Sequence, residues 1–90
     1  MIRWGILSTG KIARAFATAL KALPDAKLLA VGSRHRITAD EFAINYDIPR
    51  AYDSYEALAA DPDVDVVYIG TPHPMHAENA LMCLRAGKHV

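Results

Sequence analysis

The sequence predicts an α/β fold, a doubly wound parallel sheet covered by helices on both faces, and three observations predict it. Short apolar segments alternate with segments of helical spacing along the whole length. The second strand segment, Lys27 to Ser33, is apolar on both faces, as expected of a parallel strand between two helix layers. A glycine-bearing turn joins the first strand to the first helix. Steady strand–helix order implies right-handed crossovers.

The elements follow in order. Ile2 to Leu7 reads as a strand. Lys11 to Leu23 carries Ile12, Phe16, Leu20 and Leu23 along one helix face, and Pro24-Asp25 stops it. After the second strand, Thr38-Ala39-Asp40-Glu41 has the form of a capping box, followed by Phe42, Ala43 and Tyr46 at helical spacing. Asp47-Ile48-Pro49 ends that helix. Ala51-Tyr52 reads as a very short strand, and Ser54 as the cap of a brief helix carrying Tyr55 and Leu58, closed by Asp61-Pro62. Asp65 to Thr71 is a fourth strand. Met75 to Ala86 is a helix with Ala77, Ala80, Leu81 and Leu84 inward, and Gly87 fits its C′ position. Lys88-His89-Val90 opens a fifth strand. The expected sheet is therefore incomplete, with about four strands plus the start of a fifth, and the chain reads as part of a longer one.

Ninety residues amount to one small domain, and an apolar fraction of 52% is ample for a core. Ten basic and ten acidic residues cancel, which argues against nucleic acid or an anionic membrane as partner. No apolar run approaches the roughly 20 residues that span a bilayer. Met1 leads directly into a strand pattern, so no signal peptide is expected. The single cysteine, Cys83, suits a reducing cytoplasm and reads as a small buried hydrophobe.

Chemistry concentrates at the first turn, Gly5-Ile6-Leu7-Ser8-Thr9-Gly10-Lys11-Ile12-Ala13. Against the dinucleotide fingerprint G-x-G-x-x-G/A, the matching positions are Ser8, Gly10 and Ala13. Gly10 lacks a side chain where a pyrophosphate would approach, and Ala13 is small where helix meets strand. Ser8 departs from the first glycine, which is tolerable if its φ stays negative, and its hydroxyl could then reach a phosphate. Free amides at the helix start, among them those of Thr9, Lys11 and Ile12, would face the anion. An ordinary tight turn with no ligand is the competing reading.

The end of the second strand reads Gly32-Ser33-Arg34-His35-Arg36, with no carboxylate of the kind that takes the ribose hydroxyls of NAD. Ser33 could donate to a 2′-phosphate, and Arg34 could pair with it or stack on adenine. Arg36 is a second cation within reach. NADP is therefore the expected cofactor, with NAD possible; solvated loop charges are the alternative. The loop Thr71-Pro72-His73-Pro74-Met75-His76 follows the fourth strand at the ligand-binding edge of the sheet, so His73 and His76 would lie near the nicotinamide half. A metal pair is discounted, since no further ligand spacing lies nearby. His35 and His89 are given no role. Trp4, Phe16, Tyr52, Tyr55 and Tyr68 read as packing residues, and Asp61, Asp63 and Asp65 as a solvated loop.

These segments carry a resemblance. Arg3-Trp4-Gly5-Ile6, the Ser8–Ala13 turn, Ala30–Arg34, Ala51–Leu58, Asp61–Asp65, Tyr68–His76 and Ala86–Val90 together make the chain similar to the N-terminal domain of the glucose–fructose oxidoreductase/inositol dehydrogenase (Gfo/Idh/MocA) superfamily. Within it, the likeness is to the group of dimeric dihydrodiol dehydrogenases and NADP-dependent D-xylose dehydrogenases. The resemblance implies a Rossmann-type NAD(P)-binding domain of a two-domain enzyme. That enzyme would oxidise a secondary alcohol of a sugar or cyclic diol, or reduce the ketone. It implies cofactor contacts around Gly10, at Ser33 and Arg34, and at Thr71, Pro72 and His76. It also implies that the catalytic Glu-Lys-Pro segment follows residue 90, so no catalytic residue is assigned within the chain. The second, substrate-reading domain and a homo-oligomer contact through it would likewise lie elsewhere. Three other readings stand beside it. One is a non-catalytic NADP-binding sensor or regulatory module. Another is a methyltransferase, which would want a carboxylate where Ser33-Arg34 stand. The third is a structural unit that binds nothing.

Overall fold

A computed structural model describes residues 2–71 and 76–90, without the side chain of His76. Its elements alternate as expected: β1 (Ile2–Leu7), α1 (Lys11–Lys21), β2 (Ala26–Gly32), α2 (Arg36–Tyr46), β3 (Arg50–Tyr52), α3 (Tyr55–Ala59), β4 (Val66–Ile69) and α4 (His76–Arg85). The strands form one sheet in the order β3-β2-β1-β4, and every pairing is parallel. Beyond β4, His89 makes a parallel bridge with Val66, where the sequence opens its fifth strand.

Strand alternation sorts the core into two layers. Ile6, Leu28 and Val31 pack under α1 and α2 against Ala13, Ala17, Leu20 and Phe42. Leu7, Leu29, Ala30 and Val67 face α3 and α4 through Leu58, Ala59 and Cys83. Leu29 and Ala30 share a face although adjacent, because the β1–β2 register slips between Trp4 and Gly5: Trp4 pairs with Leu28 and Gly5 with Ala30. On the first face Phe16 stacks on Tyr68 with ring centroids 3.9 Å apart, and Trp4 meets Phe16 edge-on at 5.4 Å. All five aromatics named as packing residues are half-buried. Burial pushes the Cys83 thiol up, which keeps it protonated and inert.

Three sequence expectations are corrected here. The buried edge of α1 is Ala13, Ala17 and Leu20, while Ile12 and Leu23 are exposed and the helix stops at Lys21. Close approach to the sheet selects the alanines: a Cβ on Gly70 would stand 3.4 Å from that of Ala13. In α4 the inward residues are Asn79 and Cys83, whereas Ala77, Leu81 and Leu84 face outward. The α2 helix starts at Arg36 with His35 as its uncapped N-cap, so Thr38 is no capping residue and is free to bond elsewhere.

The turns follow their local chemistry. Ser54 Oγ accepts the Ala57 amide and caps α3. Gly87, at φ +82°, closes α4: its amide reaches Leu84 O, and the Lys88 amide reaches Cys83 O. Asp47, at φ +55°, does the same for α2, with the Ile48 amide on Ala43 O.

The amino edge of the sheet is tied by charge, and Asp61, Asp63 and Asp65 are not a solvated loop. Asp61 is 4% exposed and accepts from Arg50 Nη1, Tyr52 Oη (2.7 Å) and the Asp63 amide (2.9 Å). Lys88 Nζ donates to the Asp61 carbonyl. Arg3 grips Asp65 through Nε and Nη2, each at 3.2 Å, and Arg50 also pairs with Asp63 at 2.9 Å. A sequence reading sees three acids around a proline; what it lacks is that the amino ends of β1 and β3 deliver Arg3 and Arg50 to the same place.

Candidate functional site

The carboxyl ends of β1, β2 and β4 meet at the opposite edge. From β1 the chain goes to β2 and β3 on one side, while β4 lies on the other, so the crevice beside β1 is the topological switch point where open α/β sheets take ligands. The turn after β1 is pinned on both flanks: the Ser8 amide donates to Gly32 O (2.8 Å), and the Gly70 amide to Leu7 O (3.0 Å).

Ser8 does not keep a negative φ. It stands at +95°, the conformation for which glycine is usual at this position, at a cost of about 1–3 kcal/mol. The tight turn demands it, and the hydroxyl offsets part of the strain by accepting the Gly10 amide at 3.3 Å. Gly10 is the N-cap of α1 with φ −75° and ψ −174°, and no side chain caps the helix, so its leading amides point outward. Among the described residues a Cβ built on Gly10 would meet only Ser8 Oγ, at 3.7 Å. Among the described residues the space that glycine leaves is therefore open. Lys11 and Ile12 lie on the exposed side of the first turn, and Ile12 is 65% exposed. An open cradle beside uncapped amides fits a diphosphate.

Across the crevice, the Ser33 amide donates to Tyr52 O (3.0 Å), which fixes the end of β2. Its hydroxyl lies 2.6 Å from Thr38 Oγ1 and accepts the His35 amide at 3.4 Å. Ser8, Thr9, Gly10, Ser33, Arg34 and Thr38, with His35 and Tyr55, line one concavity of about 290 Å³, and no carboxylate is among these residues. Arg34 and Tyr55 also border a neighbouring cleft of about 720 Å³ between α3 and α4, which does carry acids, Asp53, Glu56 and Glu78. None of the Ser8–Gly10 residues lines the larger cleft.

The remaining predicted residues are placed unequally. Arg36 does not join the concavity: its Nη1 donates to Ala51 O (2.9 Å) and Asp40 (3.4 Å), and its Nη2 pairs with Asp53 at 3.8 Å. Thr71 is 4% exposed, and its hydroxyl donates to Asn79 Oδ1 at 2.6 Å, tying the end of β4 to α4. Pro72 and His73 lie outside the described residues. His76 opens α4, and its side chain also lies outside them. His35, Thr38 and Tyr55 are lining residues outside the sequence-predicted set, His35 among them although the sequence gives it no role. Thr38 was masked by its resemblance to a cap, and Tyr55 by its place at the start of an amphipathic turn.

The fold and the turn define a dinucleotide-binding α/β domain, and comparison with known proteins places it more closely. Residues 2–90 match the model of the oxidoreductase family with an NAD-binding Rossmann fold, GFO_IDH_MocA, and the chain belongs to that family. It is 53% identical to trans-1,2-dihydrobenzene-1,2-diol dehydrogenase of Bos taurus over 91 residues, covering 99% of this chain and 27% of that protein. The Xenopus tropicalis protein of the same name is 49% identical, covering 98% and 27%. Among solved structures, a 3-ketoreductase from Actinomadura kijaniata in complex with TDP-benzene and NADP is 38% identical with a TM-score of 0.94, covering 99% of this chain and 28% of that one. The scyllo-inositol dehydrogenase of Lactobacillus casei with bound NAD(H) and scyllo-inositol is 26% identical with a TM-score of 0.90, covering 100% and 27%. The chain thus spans about a quarter of the length of the curated relatives it matches. Among the described residues no helix is long and apolar enough to cross a membrane.

Proposed function

We propose that this chain is the NADP-preferring cofactor-binding part of a dehydrogenase that passes hydride between the cofactor and a secondary alcohol or ketone carbon of a sugar or cyclic diol. One observation carries the cofactor reading. Gly10, Ser33 and the exposed Arg34 border one concavity with no carboxylate among its described lining residues, so a diphosphate and a 2′-phosphate meet donors and a cation there, while Asp53, Glu56 and Glu78 line the neighbouring cleft. The 3-ketoreductase complex with NADP supports it; the inositol dehydrogenase complex with NAD(H) keeps NAD as the second cofactor. The diol dehydrogenase relatives support the substrate class.

In this proposal the amides at the start of α1 hold the diphosphate, and Arg34 holds the 2′-phosphate end. Thr71, with Pro72, His73 and His76 after it, lies toward the reacting half. Arg36 contributes through the loop that it ties to β3. When bound, the nicotinamide supplies a hydride acceptor or donor. This chain's residues orient it and exclude water; the proton is handled by residues outside 1–90, as is substrate recognition. A small-molecule substrate, a reducing cytoplasmic setting and a homo-oligomer formed through the remaining chain complete the reading. Calorimetric titration tests it. NADP should bind more tightly than NAD, and equal or tighter NAD binding would remove the role given to Arg34. The 90-residue chain should show no turnover; measurable dehydrogenase activity would overturn the division of labour.

A further inference from the structure

The hydroxyls of Ser33, just after β2, and Thr38, in the first turn of α2, form a bond with two possible directions. Ser33 Oγ and Thr38 Oγ1 are 2.6 Å apart, and by distance alone either could donate. Thr38 has one proton, and its hydroxyl donates to His35 O at 3.0 Å. The proton between the hydroxyls is then Ser33's. Ser33 also accepts the His35 amide, so in this state it offers the concavity a lone pair and no proton.

That polarity suits a ribose 2′-hydroxyl, which can donate to Ser33. It does not suit a phosphate, which only accepts from it. The reverse state is within reach, because His35 O also accepts the Ala39 amide at 3.1 Å and is not orphaned when Thr38 turns away. Thr38 would then donate to Ser33, and Ser33 to the ligand. Both residues border the concavity, and among the described residues Ser33, 5% exposed, has Thr38 Oγ1 and the His35 amide at its hydroxyl.

We propose that Thr38 is a positioning residue that sets the direction of the Ser33 hydroxyl, so that the same site meets a 2′-hydroxyl as an acceptor or a 2′-phosphate as a donor. The inference rests on the reading that this concavity takes the adenosine ribose of the cofactor, and it concerns the ratio of two affinities rather than which cofactor wins.

The test is titration of NADP and NAD against the chain and four variants, Thr38→Val, Thr38→Ser, Ser33→Ala and the double variant Ser33→Ala/Thr38→Val. In Thr38→Val the Ser33 proton turns to the ligand, where a 2′-phosphate accepts it in a charge-assisted bond and a 2′-hydroxyl only in a neutral one, so NADP gains more than NAD and the NADP:NAD affinity ratio rises by about fivefold, the worth of one hydrogen bond. Thr38→Ser keeps the hydroxyl and the original ratio. In a Ser33→Ala background, Thr38→Val leaves the ratio unchanged. A role confined to loop stability would weaken both cofactors equally, so an unchanged or lowered ratio in Thr38→Val overturns the inference while leaving the cofactor reading intact. A wild-type preference for NAD would remove the NADP preference alone, since the shift on substitution is still read. Failure of the wild-type chain to bind either cofactor overturns both.

Discussion

Arg50 Nη1 lies 2.8 Å from each carboxylate oxygen of Asp61, and it joins the first residue of β3 to the segment that leads into β4. The Asp61 side chain is 1% exposed, whereas that of Arg50 is 40% exposed. Replacing Asp61 with Ala strands Tyr52 Oη and the Asp63 amide, and is expected to destabilise the chain by about 2–3 kcal/mol. Thermal or urea unfolding measures this, and a loss below about 0.5 kcal/mol would show the network to be ornamental.

The same groups set an acid limb. Burial pushes the Asp61 carboxyl up, but hydrogen bonds from Arg50, Tyr52 and the Asp63 amide outweigh it and hold it below the usual range. Asp65 is held low by its bond to the Arg3 side chain. Carboxyls lowered in the folded state bind fewer protons there than in the unfolded chain. Their stabilisation is present above the unfolded pKa of about 3.9 and is lost as pH falls through the lower folded value. The melting temperature should drop steeply below about pH 4, and Asp61→Asn should flatten that slope. A pH-independent melt between pH 5 and pH 2 would contradict this.

Gly10→Ala separates folding from binding. The added methyl meets nothing closer than Ser8 Oγ at 3.7 Å, and the backbone at φ −75° is open to any residue. Stability should change by less than about 0.5 kcal/mol, while NADP affinity falls at least about tenfold, because the methyl occupies the diphosphate's approach. Paired melting and titration curves check both halves.

Arg34→Ala should weaken NADP by roughly ten- to a hundredfold and leave NAD nearly unchanged, since a charge-assisted hydrogen bond contributes about 1.5–3 kcal/mol. Arg36→Ala makes the contrast. Its guanidinium is held by Ala51 O, Asp40 and Asp53, so the change should lower stability slightly and act on both cofactors alike.

Ser8→Gly should raise the melting temperature by a few degrees, because glycine tolerates the +95° φ, although it forfeits the bond to the Gly10 amide. Ser8→Ala keeps the strain without the bond and should lower it. Differential scanning calorimetry on both variants distinguishes the two contributions, and a stabilised alanine variant would rule out the strain account.

Much of the fold was legible because parallel strands between helices leave a plain signature. Leu28 to Gly32 is buried without a break, and Ser54, Asp47 and Gly87 punctuate the helices where their chemistry requires. The faces of α1 and α4 were harder to read. Hydrophobicity points to Ile12, Leu81 and Leu84, but the distance between helix and sheet favours Ala13, Asn79 and Cys83, and that distance is a property of the whole assembly. The site was legible as a glycine turn facing a cation one crossover away. Partner choice was not. Nothing local says that Arg36 turns to Asp40 and Asp53 while Arg34 is left at the concavity, or that Thr38 bonds backward to Ser33.

The register slip in β2 has a consequence for how the two layers can change. By giving two successive side chains to the α3–α4 layer, Leu29 shifts the phase of everything after it, so Val31 and the terminal Ser33 end on the α1–α2 layer. Deleting one residue of that pair would restore plain alternation, and Val31 and Ser33 would keep the layer they occupy, with the serine still facing the helix that carries its threonine. The spare residue thus acts as slack, and an in-frame deletion of Leu29 should loosen the α3–α4 layer while leaving the ratio of cofactor affinities unchanged.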